Sequence, residues 1–432
     1  MGRTPPGLLS RALLLYNLPM ELLLPYGDAT MPLSVPDERL MAVLSAGVTE
    51  PGDARRLLRE AAQVPLASPD LKSFAVPGEP LLVLVNDATR PTPTALMLDT
   101  LWPEISAADS SFLIATGTHR APDEGELGRI FGKLWPEVEG RVDVHDARDD
   151  GSLVRTGETS RGNEVLINRL AAAAGRLLVI SSVEPHYFAG FTGGRKIILP
   201  GVAGFATIER NHRLAMEPGA EVMRLEGNPV HQEMQEALGT ISGKELFAVL
   251  AVLDREHSLH AVHAGDIGLT FDRATADVRR LFSAPFGQKA DIVVAAASHP
   301  LDLDFYQAQK ALENGRLALR DGGSLILVSA CRDGTGNDAF LRIMKQGGSP
   351  ESVLGLAARD YHLGYHKAAR LAELAQRARL KAVVGVGDEV ARAAFMEPFA
   401  SAQEALDASI GEAPDAKVLV LKDAGTTVPL QV

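Results

Sequence analysis

Short, nearly unbroken apolar runs recur along this chain, each followed by a stretch with helical character. They include LLVLVND (81–87), SSFLIAT (110–116), RLLVISS (176–182) and LFAVLAVLD (246–254). After a polar turn, SAPFGQKA, the pattern restarts with DIVVAAAS (291–298), GSLILVSA (323–330), KAVVGVG (381–387) and KVLVLKD (417–423). Runs of this length read as buried strands. Strands that alternate with helices build layered α/β domains with largely parallel sheets. Helices are expected at TPTALMLDTLWPEI, EGELGRIFGKLW, 207–216, 228–241 and 267–283.

A chain of 432 residues is too long for one compact core, so two domains are expected. The restart sets the boundary near 275–290. Residues 20–280 are assigned to an N-terminal α/β domain and 285–420 to a C-terminal one, with 421–432 a tail returning to the first domain. The apolar stretch before Met20 resembles a signal peptide, but Arg11 and Pro19 interrupt it and no small-residue cleavage site follows. Residues 1–19 are read as a disordered extension or the product of an upstream start codon.

A net charge of −12 argues against nucleic acid or an anionic membrane as main partner, while leaving room for a local basic pocket. The single cysteine, Cys331, allows no disulfide framework and fits a cytoplasmic location. No apolar run reaches transmembrane length.

Ligands of such sheets bind at the carboxyl ends of strands, and the unusual loops of this chain all follow strands. They are NDATRPTP (86–93), ATGTHRAP (115–122), SVEPHYFAGFTGGRK (182–196) and SHPLDLDFYQAQK (298–310). Together they point to one site in an interdomain cleft. The third loop has neither strand nor helix periodicity. Its Gly193–Gly194 pair allows close backbone approach. Lys196 offers an amine nucleophile and Arg195 a cation. Arg90 has the planar fork that clamps carboxylates or phosphates, in a loop stiffened by Pro91 and Pro93. Tyr306, Gln307 and Lys310 open a helix at spacings that share one side, as a solvated face would also do.

His119, His186 and His212 fall in three separate contexts and not in an HExxH spacing, so a three-histidine zinc site stays open. GVGDEV (385–390) and GTGND (334–338) both lack the full dinucleotide fingerprint, and there is no Walker A or GxSxG sequence.

Taken together, DATRPTP, GTHR, PHYFAGFTGGRKIILPG, NHR and DLDFYQAQK resemble, in order and spacing, the nickel-dependent lactate racemase family, from about Met20 to the C-terminus. The resemblance implies a nickel-pincer nucleotide, pyridinium-3-thioamide-5-thiocarboxylic acid mononucleotide, attached covalently at Lys196. Its nickel is held by a ring carbon, two sulfurs and one histidine, matched here by His212. His119 and His186 match the two catalytic bases. Arg90, Tyr306 and Lys310 match residues around the substrate, with Gln307 beside them. Asp87, Gly193, Gly194 and Arg195 fall on the cofactor side. The implied reaction inverts C2 of a 2-hydroxyacid by proton-coupled hydride transfer through a 2-oxoacid. The implied partners are that small substrate and the enzymes that assemble the cofactor. In GYHKAAR (364–370), Tyr365 stands where the family's characterised lactate enzyme has tryptophan, which leaves lactate or a larger relative open. A dehydrogenase or lyase acting on a related hydroxyacid, and a cofactor-free binding protein of the same fold, are the alternatives.

Overall fold

The computed structural model describes residues 19–50 and 52–432. The extension expected over 1–19 lies, Pro19 aside, outside the described residues. Two six-stranded sheets organise the chain. The first runs in the order Leu259–Gly265, Glu245–Leu253, Arg176–Val183, Pro80–Asn86, Asp109–Ala115, Val142–Val144. All its neighbours are parallel except Leu259–Gly265, which is antiparallel to Glu245–Leu253.

Successive side chains of a strand point to opposite faces, and both faces of this sheet are covered. Leu82, Leu84, Leu177 and Val179 pack on one face against Phe188, Phe191, Ile197 and Leu199. Val83, Val85, Leu178 and Ile180 pack on the other against Met97, Leu98 and Leu101 of the helix Thr94–Ile105. Continuous apolar runs are what a doubly covered parallel sheet requires.

The second sheet is parallel throughout, in the order Met396–Pro398, Arg379–Val384, Leu319–Ser329, Ala290–Ala296, Val418–Leu421, Leu40–Leu44. Its last strand corrects the assignment of residues 20–280 to the first domain. Leu40–Leu44 pairs with Val418–Leu421 at the edge of the second sheet. The hairpin Met20–Tyr26/Ala29–Val35 lays Leu22, Leu24, Leu33 and Val35 onto Ile292, Val294, Ile326 and Val420. Burial alternates along the hairpin, with Leu22 and Leu24 inside and Leu23 between them exposed, so it buries one face, and that sheet face receives it. The second domain is therefore discontinuous, built from both ends of the chain.

Two adjacent segments carry the chain between domains. Gly47 N–H donates to Leu281 O at 2.8 Å on the way in. Ser283–Phe286 leaves the helix Ile267–Phe282 in parallel with the tail strand Val428–Gln431. Arg370 of the helix Tyr365–Ala375 pairs with Glu313 of its own domain at 2.7 Å and donates across the cleft to the carbonyls of Ala215 and Ala220 at 3.1 and 2.9 Å. Nearby, Leu363 N–H reaches Glu209 at 2.9 Å and Arg213 reaches Ala358 O at 3.1 Å. Among the described residues, no helix is long and apolar enough to cross a membrane.

Candidate active site

Parallel strands Asp109–Ala115, Pro80–Asn86 and Arg176–Val183 are neighbours, so the loops after them emerge at one edge of the sheet. Hydrogen bonds tie these loops together. Gly117, at φ +57°, donates to Gly201 O at 2.9 Å, which joins the GTHR loop to the end of the long loop. Thr92 Oγ1 donates to Asn86 Oδ1 at 2.9 Å and lies 2.7 Å from Ser182 Oγ, which donates to Glu184 at 2.9 Å.

His119 stands at the cleft with Nδ1 at 2.8 Å from Asp87 Oδ2. The other oxygen of Asp87 accepts from Thr89 N–H at 2.8 Å and from the Thr89 hydroxyl at 2.5 Å. Burial alone would raise the Asp87 pKa, but the His119 and Thr89 contacts outweigh it and lower it, so the carboxyl is ionised. A carboxylate accepts the Nδ1 proton and leaves Nε2 with a lone pair, the state of a proton acceptor. Asp87, expected on the cofactor side, thus sets the His119 ring through Oδ2 and is itself held by Thr89 through Oδ1.

His186 has the opposite polarity. Its Nδ1 accepts from Ala189 N–H at 3.2 Å, so the neutral ring carries its proton on Nε2. Burial, followed by the charges of Lys196, Lys310 and Arg90, pushes its pKa well below the usual value. The ring lies 5.1 Å from Tyr187, stacked, and 4.5 Å from Phe188, edge-on.

Lys196 is 8% exposed, and burial, reinforced by Arg90, Arg195 and Lys310, drives its pKa well down. Burial thus favours the free amine, the nucleophilic form. His212, near the end of the helix Phe205–Arg213, is held neutral by burial and by Lys196, with its pKa lowered to about 3. Its Nδ1 is buried without a hydrogen-bond partner. A neutral imidazole with an unengaged nitrogen is the form that binds a metal.

From the second domain, Asp304 caps the helix Phe305–Ala318 by accepting from Gln307 N–H at 2.7 Å. That cap sets the first turn, with Tyr306, Gln307 and Lys310 half-buried on it. Burial, then Arg90, lowers the Lys310 pKa to about 8, against opposing pulls from Glu184 and Asp304. Burial and Asp304 raise Tyr306 to about 12, so its hydroxyl stays protonated. The Phe188 ring gathers three of the site's side chains, with His186 at 4.5 Å, His212 at 5.2 Å and Lys196 Nζ at 5.7 Å from its centre.

Gly193, Gly194 and Arg195, expected on the cofactor side, also pack closely against the first domain's interior. A Cβ on Gly193 would meet Ser182 O at 2.5 Å, and one on Gly194 would meet the Phe271 ring at 2.8 Å. Both residues have positive φ, +72° and +53°. Arg195 is 1% exposed, donates to Ala189 O at 2.7 Å and lies 4.3 Å from the centre of the Phe271 ring. The glycines let the loop press onto the domain's own interior, and Arg195 anchors it there.

Three cleft residues escape motif reasoning. His366 Nε2 lies 3.1 Å from the Tyr187 hydroxyl and its Nδ1 lies 2.8 Å from that of Tyr361, bridging the domains. Lys367 lies over the Tyr306 ring at 3.6 Å. The GYHKAAR stretch thus reaches the cleft through His366 and Lys367, while Tyr365 sits edge-on to His362 at 5.3 Å. The left-handed Gly364 before this helix (φ +103°) was the available signal.

A family model described as the lactate racemase N-terminal domain matches residues 26–223, and one described as the lactate racemase C-terminal domain matches 287–428. The lactate racemase of Thermoanaerobacterium thermosaccharolyticum is 32% identical over 341 residues, 77% of this chain and 79% of that protein. The lactate racemase of Lactiplantibacillus plantarum is 30% identical over 347 residues, 77% of this chain and 80% of its own. The structure of the lactate racemase apoprotein from T. thermosaccharolyticum superposes with a TM-score of 0.88 at 28% identity, covering 95% of this chain and 100% of that one. A crystal structure of a Thermotoga maritima protein shares the fold alone, with a TM-score of 0.67 at 16% identity over 89% of this chain and 100% of that one.

Proposed function

The chain belongs to the lactate racemase family and is an isomerase of the racemase kind; from that premise we propose that it inverts C2 of a 2-hydroxycarboxylic acid through a 2-oxoacid, using a nickel-pincer nucleotide tethered at Lys196. The observation that carries this is that Lys196 and His212 both lie against the Phe188 ring, the amine 5.7 Å and the imidazole 5.2 Å from its centre, with burial lowering the pKa of each. The residues fit the group. Lys196 offers the amine for a thioamide link, and His212 offers one open nitrogen to a metal. Among the described residues, no group of three or more His, Cys, Asp or Glu is arranged to hold a metal ion. A metal here would take most of its ligands from an organic partner.

The group, when bound, supplies a hydride acceptor for C2, chemistry that no side chain provides. The chain does the rest. Arg90 and Lys310 hold the substrate carboxylate, the guanidinium by its fork and the ammonium as a point charge. His119 Nε2 takes the hydroxyl proton, and Asp87 holds the ring in that tautomer and stabilises the imidazolium. His186 would face the oxygen from the other side and take the hydroxyl proton of the opposite enantiomer on Nε2, which requires the tautomer with its own proton on Nδ1; in the tautomer set by Ala189 N–H, its Nε2–H hydrogen-bonds that oxygen. Tyr306 donates a hydrogen bond without giving up its proton. The Tyr187–His366 bond helps close the cleft against water.

The test is chiral chromatography of lactate and longer 2-hydroxyacids incubated with protein made alongside the cofactor-synthesis enzymes. At least one acid should be racemised, and none by Lys196→Ala. Protein that carries nickel and the covalent adduct yet racemises no 2-hydroxyacid would overturn the proposal.

A further inference from the structure

The cleft holds one more ammonium than a monocarboxylate needs. Lys367 is 5% exposed and has no hydrogen-bonded carboxylate among the described residues. Its Nζ donates to the Tyr306 carbonyl at 2.5 Å and lies 3.6 Å from the Tyr306 ring centre and 5.5 Å from that of Tyr187. The two nearest acids are engaged elsewhere. Asp304 caps its helix through Gln307 N–H at 2.7 Å. Glu313 is taken by Arg370 at 2.7 Å and Arg316 at 2.9 Å. Burial, then the positive charge of Lys310, lowers the Lys367 pKa well below the ordinary lysine value against the pulls of Asp304 and Glu313, so a ligand anion beside it would favour the charged form.

A buried ammonium without a counter-ion is costly, and a second cation beside it adds to that cost. The carbonyl and the Tyr306 ring offset only part of this. An anion brought in by a ligand would complete the pairing. The position also fits a substrate chain. Tyr187, whose ring Lys367 approaches, is stacked on His186 at 5.1 Å. Tyr306 lies one turn before Lys310 on the same face of the helix. A group reaching Lys367 would run from the reacting centre along these two rings. The wall there is polar and fixed, since the Tyr187 and Tyr361 hydroxyls are both held by His366. Such a wall suits a charged end better than an alkyl or aromatic one.

Resting on the racemase reading above, we propose that the substrate is a 2-hydroxydicarboxylic acid whose distal carboxylate pairs with Lys367. The C1 carboxylate keeps Arg90 and Lys310, and chain length sets the reach to the second cation.

The test uses cofactor-loaded protein with malate and 2-hydroxyglutarate as dicarboxylate probes, and 2-hydroxybutyrate and 2-hydroxyvalerate as monocarboxylates of matching chain length. The kcat/KM of a dicarboxylate should exceed that of its counterpart at least about tenfold, the scale of one well-placed charge pair. In Lys367→Met that ratio should fall by a similar factor, mainly through KM, and Lys367→Arg should restore part of it. Melting temperature and covalent adduct mass of both variants check folding and loading. If Lys367 is only a brace between Tyr306 and Tyr187, Lys367→Met lowers both kcat/KM values together and the unchanged ratio overturns the proposal. A wild type that racemises monocarboxylates but not dicarboxylates overturns it too. If no 2-hydroxyacid is racemised, the racemase reading fails separately, and calorimetry with malate judges Lys367. Malate binding that weakens in Lys367→Met sustains the dicarboxylate site, and no malate binding by the wild type overturns it.

Discussion

Asp87 Oδ2 lies 2.8 Å from His119 Nδ1, and this carboxylate is only 6% exposed. The contact fixes the His119 tautomer and, in the proposed mechanism, gives the imidazolium a counter-charge when it forms. Asp87→Asn keeps the shape and removes the charge. Racemisation kcat should fall about 10²–10⁴-fold, the range for losing a positioned base. Cofactor adduct mass and melting temperature should stay near wild type. A variant within about threefold of wild type would remove Asp87 from proton transfer, because a positioning carboxylate is worth more than that.

Lys196→Ala should abolish covalent loading when the protein is made with the cofactor-synthesis enzymes. Intact mass spectrometry reads this directly. Lys196→Arg should fail too, since a guanidinium stays protonated and is no practical nucleophile. A full adduct on either variant contradicts the tether.

In the proposed mechanism Lys310 binds the substrate carboxylate only while charged, and its pKa is lowered to about 8. The kcat/KM of the loaded enzyme should therefore fall as pH rises through about 8, with KM increasing. Lys310→Arg should shift that limb upward. The stability effect has the opposite sign. Between about 8 and the ordinary lysine value of 10.5, the unfolded chain holds more protons at this position, so stability rises with pH there. A flat kcat/KM from pH 7 to 9.5 would argue against the clamp.

Arg370 and Glu313 form an ion pair at 2.7 Å with side chains 10% and 12% exposed. Burial alone would raise the Glu313 pKa, but Arg370 and then Arg316 bring it down to about 2. Arg370→Ala strands that carboxylate and also loses the bonds to Ala215 and Ala220 across the cleft. A loss of about 3–5 kcal/mol in denaturant unfolding is expected. In the wild type the Glu313 contribution is complete above the ordinary glutamate value of 4.5 and is lost as pH falls towards 2. Arg370→Met combined with Glu313→Leu should recover part of the loss.

The core strands were legible because Leu82–Val85, Leu177–Ile180 and Ala248–Val252 must bury both faces, and that leaves a continuous apolar run. Leu40–Leu44 was not, because its partner Val418–Leu421 lies at the other end of the chain and local pattern carries no trace of such a pairing. Leu259–Gly265 escaped as well, being an edge strand with half-exposed His260 and His263 breaking its apolar character.

The site divides in the same way. Arg90, His119, His186 and Lys196 sit in strand-end loops whose composition is odd enough to be noticed. The glycine pair was visible, yet what it admits, the Ser182 backbone and the Phe271 ring, depends on a tertiary neighbour. His366 and Lys367 were hidden because a histidine and a lysine at a helix start read as solvated. Only the docking of that helix against the other domain buries them.

The central claim is that hydrogen leaves and returns to C2 as a hydride, and one measurement addresses it directly. A single enantiomer of the best substrate is incubated with cofactor-loaded protein in deuterium oxide, and the opposite enantiomer is isolated and examined by NMR. The account predicts that the product retains protium at C2, because only the hydroxyl proton passes through His119 or His186. Deuterium at C2 of the product would show exchange with solvent through a carbanion and would contradict it.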